Sequence, residues 1–347
     1  MPRKQVMVAM SGGVDSSLAA ALLKQAGYEV TGVYMELSPG HCPEHSVSDL
    51  ERTCQLLDIP LHKLNFESEY QNEVIDYFCK EYSLGRTPNP CIACNRHIKF
   101  GLLLDRVRQM GADYLATGHY ARIDHSPDGY RLLKAVDLTK DQSYFLYALG
   151  QWELQHLLLP LGNHRKVEVR KLADELGLPA SGKPESQDVC FIADKDYRSF
   201  LAGRISLKSG DIIDTEGRIL GKHNGLARYT VGQRQGLGIA SNQRLYVIKL
   251  DAAGNRLVVG TKDQLLSDKL FTSQLSWVSG KAPEEPISIT AKVRYKSPEA
   301  SATLHPNNGV AEVRFHQPQW AIAPGQAVVF YQGDNVLGGG IIEDRVD

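Results

Sequence analysis

The feature of this chain that most constrains its fold is the run SGGVDSS at residues 11–17. An apolar stretch at 6–10 precedes the run and predicts a buried strand, and an apolar stretch at 18–23 follows it and predicts a helix. Two glycines let the backbone turn sharply between these elements, so that amide groups point at one place beside the positive end of the helix dipole. The serines add hydroxyl donors, and Asp15 can hold a metal ion that accompanies phosphate. Together these features predict an anion-binding site.

The run differs from the Walker phosphate-binding loop, because no Lys follows its glycines. It resembles the pyrophosphate loop of the ATP pyrophosphatases. That resemblance implies cleavage of ATP between its α and β phosphates, with transfer of AMP to a substrate oxygen. An ordinary glycine-rich turn between a strand and a helix is the alternative interpretation.

Strands and helices alternate through the first half of the chain. The predicted elements are a strand at 29–35, a helix at 46–57, a strand at 61–66, helices at 72–82 and 100–110, a strand at 114–119 and a helix at 165–178. Such alternation predicts an α/β fold with a doubly wound parallel sheet that binds a nucleotide. Ligands of these sheets bind beyond the carboxyl ends of the strands, where the SGGVDSS run, Met35 and Gly118 all fall.

The pattern changes after about residue 204, where glycine-rich turns separate short alternating runs. From about residue 270 it is wholly β and is punctuated by prolines. We therefore expect a small central β-rich domain followed by a C-terminal β-barrel, with a sandwich as the alternative to the barrel. A chain of 347 residues exceeds the usual size of a single core, and the predicted domains are 1–203, 204–268 and 269–347.

Positive charge is concentrated in the middle of the chain. Residues 204–262 contain ten Lys or Arg and four acidic residues, a net charge of +6. Residues 1–203 carry a net charge of −4, and the whole chain carries −1. This distribution favours a local surface for a polyanion, with a merely solvated face as the alternative.

The sequence shows no sign of a membrane or an export signal. No apolar stretch approaches the roughly 20 residues of a membrane span, and the N-terminus lacks the apolar core of a signal peptide. We therefore expect a cytoplasmic protein without a membrane partner. In that setting cysteines are expected to be thiols, metal ligands or catalytic groups rather than disulfides. The six are Cys42, Cys54, Cys79, Cys91, Cys94 and Cys190.

Two cysteine segments carry further signals. TPNPCIACN at 87–95 places Cys91 and Cys94 in a Cys-x-x-Cys pattern that opens a predicted helix. A helix N-terminus lowers the pKa of a cysteine, so we expect thiolates there. Alone, this pattern fits zinc, redox or cluster roles, although no second such pattern exists to complete a four-cysteine zinc site. Cys190, considered alone, is most simply a buried structural cysteine.

Seven blocks along the chain together resemble the tRNA-specific 2-thiouridylases. In order they are SGGVDSS (11–17), TPNPC-x-x-CN (87–95), TGHYAR (117–122), KDQSYFL (140–146), ESQDVCFI (185–192), YTVGQRQGLGI (229–239) and APGQAVVFY (323–331). They span nearly the whole chain, so the resemblance is more specific than the loop alone. It implies thiolation of C2 of the wobble uridine in tRNA. ATP adenylates the base oxygen and releases pyrophosphate, and sulfur then displaces AMP.

The resemblance also implies partners and roles for single residues. Cys190 would carry a persulfide received from a sulfur donor or carrier protein, and Cys94 would attack or resolve it, although 96 positions separate the two. ATP, with Mg²⁺, would be held by Ala9, Met10, Ser11, Gly12, Gly13, Val14, Asp15, Ser16, Met35 and Gly118. The target base would be bordered by Asn89, Pro90 and Cys91. The tRNA would meet the central domain and touch His119, Lys140, Asp141, Gln142, Arg294, Tyr295 and Gln326.

Cys91 departs from the family pattern, because better-known members have Asp at this position. Cys91, Cys94 and Cys190 could together ligate an iron–sulfur cluster of the [4Fe-4S] type and leave one iron open for sulfide. In that case the cluster would deliver the sulfur, and no persulfide on the protein would be needed. The persulfide relay and the cluster stand as alternatives.

Two other functions are considered. An amide-forming ligase of the same loop superfamily would share the adenylation step but attack with ammonia, and it has no use for the cysteines. An RNA-binding protein with an inactive nucleotide fold is disfavoured by the intact loop. His41, Cys42 and His45 could bind a second metal, although a loop after the second strand is the favoured interpretation, and Cys54 and Cys79 are expected to be packed in helices.

Overall fold

The computed structural model describes residues 3–37, 44–179, 189–192 and 196–343, without the side chains of 44–46. Its strands are β1 (Gln5–Ala9), β2 (Glu29–Glu36), β3 (Leu61–Asn65), β4 (Tyr114–Ala116), β5 (Ala121–Ser126), β6 (Gly129–Lys134), β7 (Leu157–Leu158), β8 (Gly210–Asp214), β9 (Ile219–His223), β10 (Tyr246–Asp251), β11 (Arg256–Gly260), β12 (Leu266–Trp277), β13 (Ile287–Lys292), β14 (Ala300–Asn307), β15 (Val310–Trp320), β16 (Ala327–Gln332) and β17 (Asn335–Ile342). Its helices are α1 (Val14–Gln25), α2 (Glu44–Leu56), α3 (Glu67–Tyr70, Gln71–Asp76 and Tyr77–Ser83), α4 (Pro90–Ala93, Cys94–Leu103 and Leu104–Gln109), α5 (Gln151–Gln155), α6 (Lys166–Glu175) and α7 (Tyr197–Ala202). Short 3-10 helices cover Ser143–Leu146, Pro160–Asn163, Leu226–Arg228 and Lys262–Leu265.

The N-terminal part is built on a parallel five-stranded sheet of order β3-β2-β1-β4-β7. Side chains of β1 alternate between the two faces of this sheet. Val6 and Val8 pack in the core that contains α1 and α6, whereas Met7 packs in the core that contains α3 and α4. Because helices cover both faces, the sheet is doubly wound, and the predicted fold class is confirmed.

Two helices extend beyond their predicted limits. The predicted helix 72–82 lies within α3, and the predicted helix 100–110 is the end of α4, which begins at Pro90. Each of them contains a π-helical segment, Gln71–Asp76 in α3 and Cys94–Leu103 in α4. A π-helical turn shifts the 3.6-residue repeat, so the apolar pattern does not keep one phase along either helix.

No element is predicted for residues 121–134, but they form an antiparallel hairpin of β5 and β6. Gly129 begins β6 with a φ of 116°, a conformation that favours glycine. Strand β6 leaves the parallel sheet and pairs with β17, Leu132 opposite Val336 and Leu133 opposite Asn335. This hairpin joins the C-terminal barrel to the part of the chain that carries the SGGVDSS loop.

The two β-rich parts have cores of their own. Strands β8 to β11 form a sheet of order β10-β11-β8-β9 over a core that includes Ile212 and Leu257. Strands β12 to β17 close into a barrel, because β12 pairs with both β15 and β17, around a core that includes Leu304 and Phe330. The predicted β-rich centre and C-terminal barrel are therefore confirmed. Within the described ranges, every helix is too short or too polar to cross a bilayer.

Candidate active site

The SGGVDSS loop folds tightly at the start of α1. The φ of Gly12 is 75°, which favours glycine. The carbonyl of Gly13 accepts from the hydroxyls of Ser16 at 3.1 Å and Ser17 at 3.0 Å. The amide of Ser11 donates to Ser16 Oγ at 3.2 Å. These bonds fix the turn that directs amide groups and a helix N-terminus toward one anion.

The carboxylate of Asp15 is engaged by two side chains that the sequence does not single out. Lys166 Nζ lies 2.7 and 2.8 Å from its two oxygens, and the hydroxyl of Tyr120 donates to Oδ1 at 2.7 Å. Lys166 is the first residue of α6, and its side chain is only 9% exposed. The loop and α6 therefore meet at an ion pair whose ammonium is largely shielded from water, whereas the side chain of Asp15 is 32% exposed.

The segment after β4 packs directly on the loop. A Cβ at Gly118 would lie 2.8 Å from backbone atoms of Asp15 and Ser16, so only glycine allows this approach. Met35 lies near the end of β2, which is hydrogen-bonded to β1. The loop, Met35 and Gly118 thus share one edge of the parallel sheet, where such sheets bind nucleotides. The other predicted ATP residues are Ala9, which ends β1, and the buried Met10 and Val14.

Cys91 and Cys94 lie at the beginning of α4, where the sequence predicts a helix. Asn89 caps this helix, its side-chain oxygen accepting from the amide of Cys91 at 3.1 Å, and Pro90 is the first helical residue. Cys91 is exposed as a residue, whereas Cys94 is buried.

The C-terminal barrel holds the segment that leads into α4. The amide of Thr87 donates to the carbonyl of Pro324 at 2.8 Å. The side-chain amide of Gln326 donates to the carbonyl of Thr87 at 2.7 Å. Arg86 pairs with Glu81 at 2.8 Å and with Glu343 at 2.6 Å. Gln326, which was expected at the tRNA, therefore braces the cysteine segment.

Cys190 approaches the same region from a distant part of the chain. Its Sγ lies 3.2 Å from the hydroxyl of Tyr70 in α3. The next residue, Phe191, packs edge-on against Tyr70 and Phe78. Cys190 is exposed, so the interpretation as a buried structural cysteine is wrong. Half of the ESQDVCFI block, residues 185–188, lies outside the described residues.

Burial changes the acidity expected of the Cys-x-x-Cys thiols. It raises the pKa of Cys94 to about 12. It also raises the pKa of Cys91, whose sulfur is desolvated by surrounding protein although the residue as a whole is exposed, while the positive charge of Lys99 opposes both shifts. The expectation of thiolates is therefore wrong for the protein without its substrates, because desolvation outweighs the helix dipole. Both groups are thiols at neutral pH.

Lys99 lies on α4 beside these thiols and was not predicted as a site residue. It is half-buried, and within the described part of the chain no hydrogen bond or ion pair holds its ammonium. Burial lowers the pKa of His119 well below its usual value, and the charge of Lys99 acts in the same direction. His119 is therefore neutral, and its Nδ1 lies 2.8 Å from the hydroxyl of Thr117.

The described residues do not form a site for a single metal ion as they are arranged here. Among them, no three His, Cys, Asp or Glu side chains converge where one metal ion could bind. Cys91, Cys94 and Cys190 are chemically suited to an iron–sulfur cluster, which takes thiolate ligands. In such a cluster each cysteine binds a different iron, so the lack of a single-ion site among the described residues does not test it, and the cluster stays a prediction.

Several residues expected at the tRNA have contacts inside the protein. Asp141 is buried, and its carboxylate accepts from the amide of Ala135 at 2.9 Å and the hydroxyl of Ser143 at 2.8 Å. The side chain of Gln142 accepts from the amide of Tyr120 at 2.9 Å. Asp141 and Gln142 thus shape the segment that follows β6 and the segment that precedes β5.

The barrel contributes two more of these residues. The guanidinium of Arg294 donates to the carbonyls of Val231 at 2.9 Å and Ala321 at 2.7 Å. The ring of Tyr295 lies 4.3 Å from that of Phe145, centre to centre. Arg294 links the central domain to the barrel, and Tyr295 packs against the N-terminal part of the chain. Lys140 is half-buried. The tRNA contacts of all these residues stay predictions.

The remaining cysteine and histidine predictions have different outcomes. Cys54 and Cys79 are buried, as expected of packed residues. His41 and Cys42 lie outside the described residues, and only the backbone of His45 is described, in α2.

Three family models match successive parts of the chain. Residues 4–194 match the tRNA methyl transferase HUP domain, residues 198–261 the tRNA methyl transferase PRC-barrel domain, and residues 267–342 the aminomethyltransferase β-barrel domain. These limits leave short gaps at 195–197 and 262–266.

Relatives described as tRNA-specific 2-thiouridylases are similar to nearly the whole chain. The protein of Moorella thermoacetica is 50% identical over 353 residues, which cover 97% of this chain and 99% of that protein. The protein of Pelotomaculum thermopropionicum is 45% identical over 362 residues, covering 100% and 99%. The protein of Geotalea uraniireducens is 48% identical over 362 residues, covering 99% and 96%.

Proposed function

Because this chain belongs to the family of tRNA-specific 2-thiouridylases, we propose that it is an ATP-dependent tRNA-uridine 2-sulfurtransferase that thiolates C2 of the wobble uridine. One observation carries the proposal. The domain that presents the SGGVDSS loop also presents two thiols from distant segments, Cys94 at the start of α4 and Cys190 against Tyr70. The matched family model is named after methyl transfer, but methyl transfer would give neither the loop nor these cysteines a role.

The loop serves the first half of the reaction. Its amides and hydroxyls bind the pyrophosphate part of ATP while O2 of the uridine attacks the α phosphorus. The bond between the α phosphorus and the bridging oxygen breaks, pyrophosphate leaves, and AMP stays on O2. Asp15 would hold Mg²⁺, which neutralises phosphate charge when bound. The ammonium of Lys166, now on Asp15, can then move to a phosphate oxygen.

The thiols serve the second half. The terminal sulfur of a persulfide on Cys190 attacks C2, and the C2–O bond breaks so that AMP leaves. Cys94, as thiolate, then attacks Sγ of Cys190, and the sulfur that remains on C2 departs as the 2-thiouridine anion and takes up a proton. The products are 2-thiouridine and a Cys94–Cys190 disulfide, which an external thiol reduces. Because burial raises the pKa of Cys94 to about 12, a base or the charge of Lys99 must help to form its thiolate.

The central domain is proposed as a tRNA-binding surface. Arg218, Lys222 and Arg256 pair with acidic side chains. Four exposed basic residues of this domain form no ion pair within the described part of the chain: Lys208, Arg234, Arg244 and Lys262. Because acidic side chains do not neutralise them there, these four residues support a surface for a polyanion. A tRNA substrate agrees with a cytoplasmic location, and that location stays a prediction.

Two variants separate the halves of the reaction. With unmodified tRNA, ATP and Mg²⁺, Asp15→Ala is expected to abolish pyrophosphate release while tRNA binding is kept. Cys190→Ser is expected to keep pyrophosphate release and lose thiolation. The amide-forming ligase predicts instead that Cys190→Ser retains full activity, with ammonia as nucleophile, and that result would overturn the proposal.

Cys91→Ser separates the two routes for sulfur, because Cys91 is a ligand in the iron–sulfur route but carries no transferred sulfur in the persulfide relay. The persulfide relay predicts that this variant still thiolates. Loss of thiolation together with loss of a thiol-dependent visible absorbance in anaerobic protein would instead establish the iron–sulfur route. Colourless, iron-free and fully active wild-type protein would exclude that route.

A further inference from the structure

We propose that Tyr70 is a positioning residue for sulfur transfer, whose hydroxyl holds the sulfur of Cys190 in place for exchange with Cys94. The inference rests on the proposed thiolation and adds to it a residue on α3, a helix that carries none of the motifs by which the family is recognised.

A direct contact is the first support. The hydroxyl of Tyr70 lies 3.2 Å from Sγ of Cys190, within hydrogen-bond distance for sulfur. Tyr70 is fully buried, whereas Cys190 is exposed. A buried hydroxyl requires a partner inside the protein. The contact therefore fixes the exposed sulfur to a rigid part of the fold.

The packing of Cys190's neighbour shows what the hydroxyl adds. The ring of Phe191 lies 6.2 Å from the ring of Tyr70, 5.3 Å from Phe78 and 5.1 Å from Phe200, centre to centre. These ring contacts hold the backbone of the segment. The hydroxyl of Tyr70 instead contacts the sulfur of Cys190 itself. Removing the hydroxyl alone therefore tests positioning without removing the ring packing.

Tyr70 also belongs to the same buried core as Cys94. Burial, above all, raises the pKa of Tyr70 far above neutrality, and negative charge on Cys190, Cys94 or Cys91 acts in the same direction. The hydroxyl therefore stays protonated and can donate to Sγ of Cys190. Tyr70 further lies at the junction with the π-helical segment Gln71–Asp76, which faces the π-helical segment of α4 that begins at Cys94. Such segments often occur at functional sites.

The step that this contact serves is the attack on Cys190. The thiolate of Cys94 forms a bond to Sγ of Cys190, and the bond from Sγ to the sulfur on C2 breaks, with its electron pair going to the departing thiouridine. No electrons enter from outside, since one disulfide bond replaces another. Exchange at sulfur depends on access and alignment, so a sulfur held in one position reacts faster than one that rotates.

Tyr70→Phe is compared with Tyr82→Phe, the same change in the same helix at a buried tyrosine that packs on Tyr197 instead of the cysteines. Three rates are measured: pyrophosphate release with tRNA, single-turnover formation of 2-thiouridine from persulfide-loaded protein, and formation of the Cys94–Cys190 disulfide in oxidised glutathione. We expect Tyr70→Phe to keep pyrophosphate release. We expect it to slow both sulfur steps about tenfold, because a tenfold change corresponds to the free energy of one hydrogen bond. We expect Tyr82→Phe to change no rate by more than about twofold.

The outcomes separate this inference from the proposed function. If Tyr70→Phe releases pyrophosphate, thiolates and forms the disulfide at wild-type rates, Tyr70 has no positioning role. If wild-type protein makes no 2-thiouridine, thiolation is overturned, and the disulfide rate alone still reports on Tyr70. Should Tyr70→Phe unfold, protein with 3-fluorotyrosine at position 70 keeps ring and hydroxyl. It is expected to form the disulfide at least as fast as wild type, and a slower rate would contradict the inference.

Discussion

Lys166 and Asp15 form the ion pair that joins helix α6 to the SGGVDSS loop. The ammonium lies 2.7 and 2.8 Å from the two carboxylate oxygens, across 151 positions of sequence. The same ammonium lies 5.6 Å from the centre of the Tyr120 ring. A triphosphate with its metal ion must therefore enter a site whose acidic group is already neutralised. When a phosphate binds, the ammonium of Lys166 can move from the carboxylate of Asp15 to a phosphate oxygen.

Replacement of Lys166 tests this arrangement. Lys166→Met is expected to raise the KM for ATP and lower tRNA-dependent pyrophosphate release at least tenfold, because hydrogen bonds to charged groups contribute about 1.5–3 kcal/mol each. Lys171→Met is the control, since Lys171 lies on the same helix with a side chain that is 78% exposed. Equal pyrophosphate release by the two variants would contradict a role for Lys166 at the phosphates.

Gly118 offers a steric test of the nucleotide site. In Gly118→Ala the added Cβ would lie 2.8 Å from the backbone of Asp15 and Ser16, so the loop must move. We expect ATP binding, measured by calorimetry, to weaken at least about tenfold, which corresponds to about 1.4 kcal/mol and is modest for overpacking. Gly203→Ala is the control, because a Cβ there meets no atom within 4 Å. Unchanged ATP affinity in Gly118→Ala would place the nucleotide away from this loop.

The acidity of Cys94 gives a pH dependence. A thiol whose pKa is raised to about 12 is protonated at neutral pH, and its thiolate fraction rises tenfold with each pH unit. The rate of alkylation of Cys94 by iodoacetamide in the free protein should therefore increase steadily from about pH 7 to pH 9. Peptide mass spectrometry follows this cysteine separately from the others. A plateau below about pH 8 would show that Cys94 is a stabilised thiolate even without substrates.

Charge reversal tests the tRNA surface. Arg234→Glu and Arg244→Glu are each expected to weaken tRNA binding and to reduce the slope of log affinity against log salt by about one for each phosphate that the protein no longer neutralises. Arg218→Glu is the control, because Arg218 already pairs with Asp214 and Glu216. Filter binding at several salt concentrations gives both quantities. Equal salt slopes in all three variants would favour a solvated face over a tRNA surface.

Much of the fold follows from local patterns in the sequence. The strand, turn and helix around SGGVDSS are encoded within about twenty residues, and so is the capped helix start at Asn89 and Pro90. The hairpin of β5 and β6 is not predicted, although Pro127, Asp128 and Gly129 give a turn signal between its strands. Its pairing with β17 is not predictable either, because a local strand pattern does not show which sheet a strand joins.

The site is predictable only in its motifs. Lys166 and Tyr70 carry no motif of their own, and their importance comes from contacts with residues more than 100 positions away. The prediction that these cysteines are thiolates is wrong for a similar reason. Sequence shows that Cys94 begins a helix, but burial, which decides its pKa, depends on how α3, α4 and the Phe145 segment pack.

The most direct test is nucleoside mass spectrometry of unmodified tRNA after incubation with anaerobically purified protein, ATP, Mg²⁺ and a persulfide donor, with inorganic sulfide in a parallel reaction. The account predicts ATP-dependent 2-thiouridine at the wobble position with the persulfide donor, and none with Cys190→Ser. Formation of 2-thiouridine by Cys190→Ser, or no 2-thiouridine from wild-type protein with either sulfur source, would contradict it.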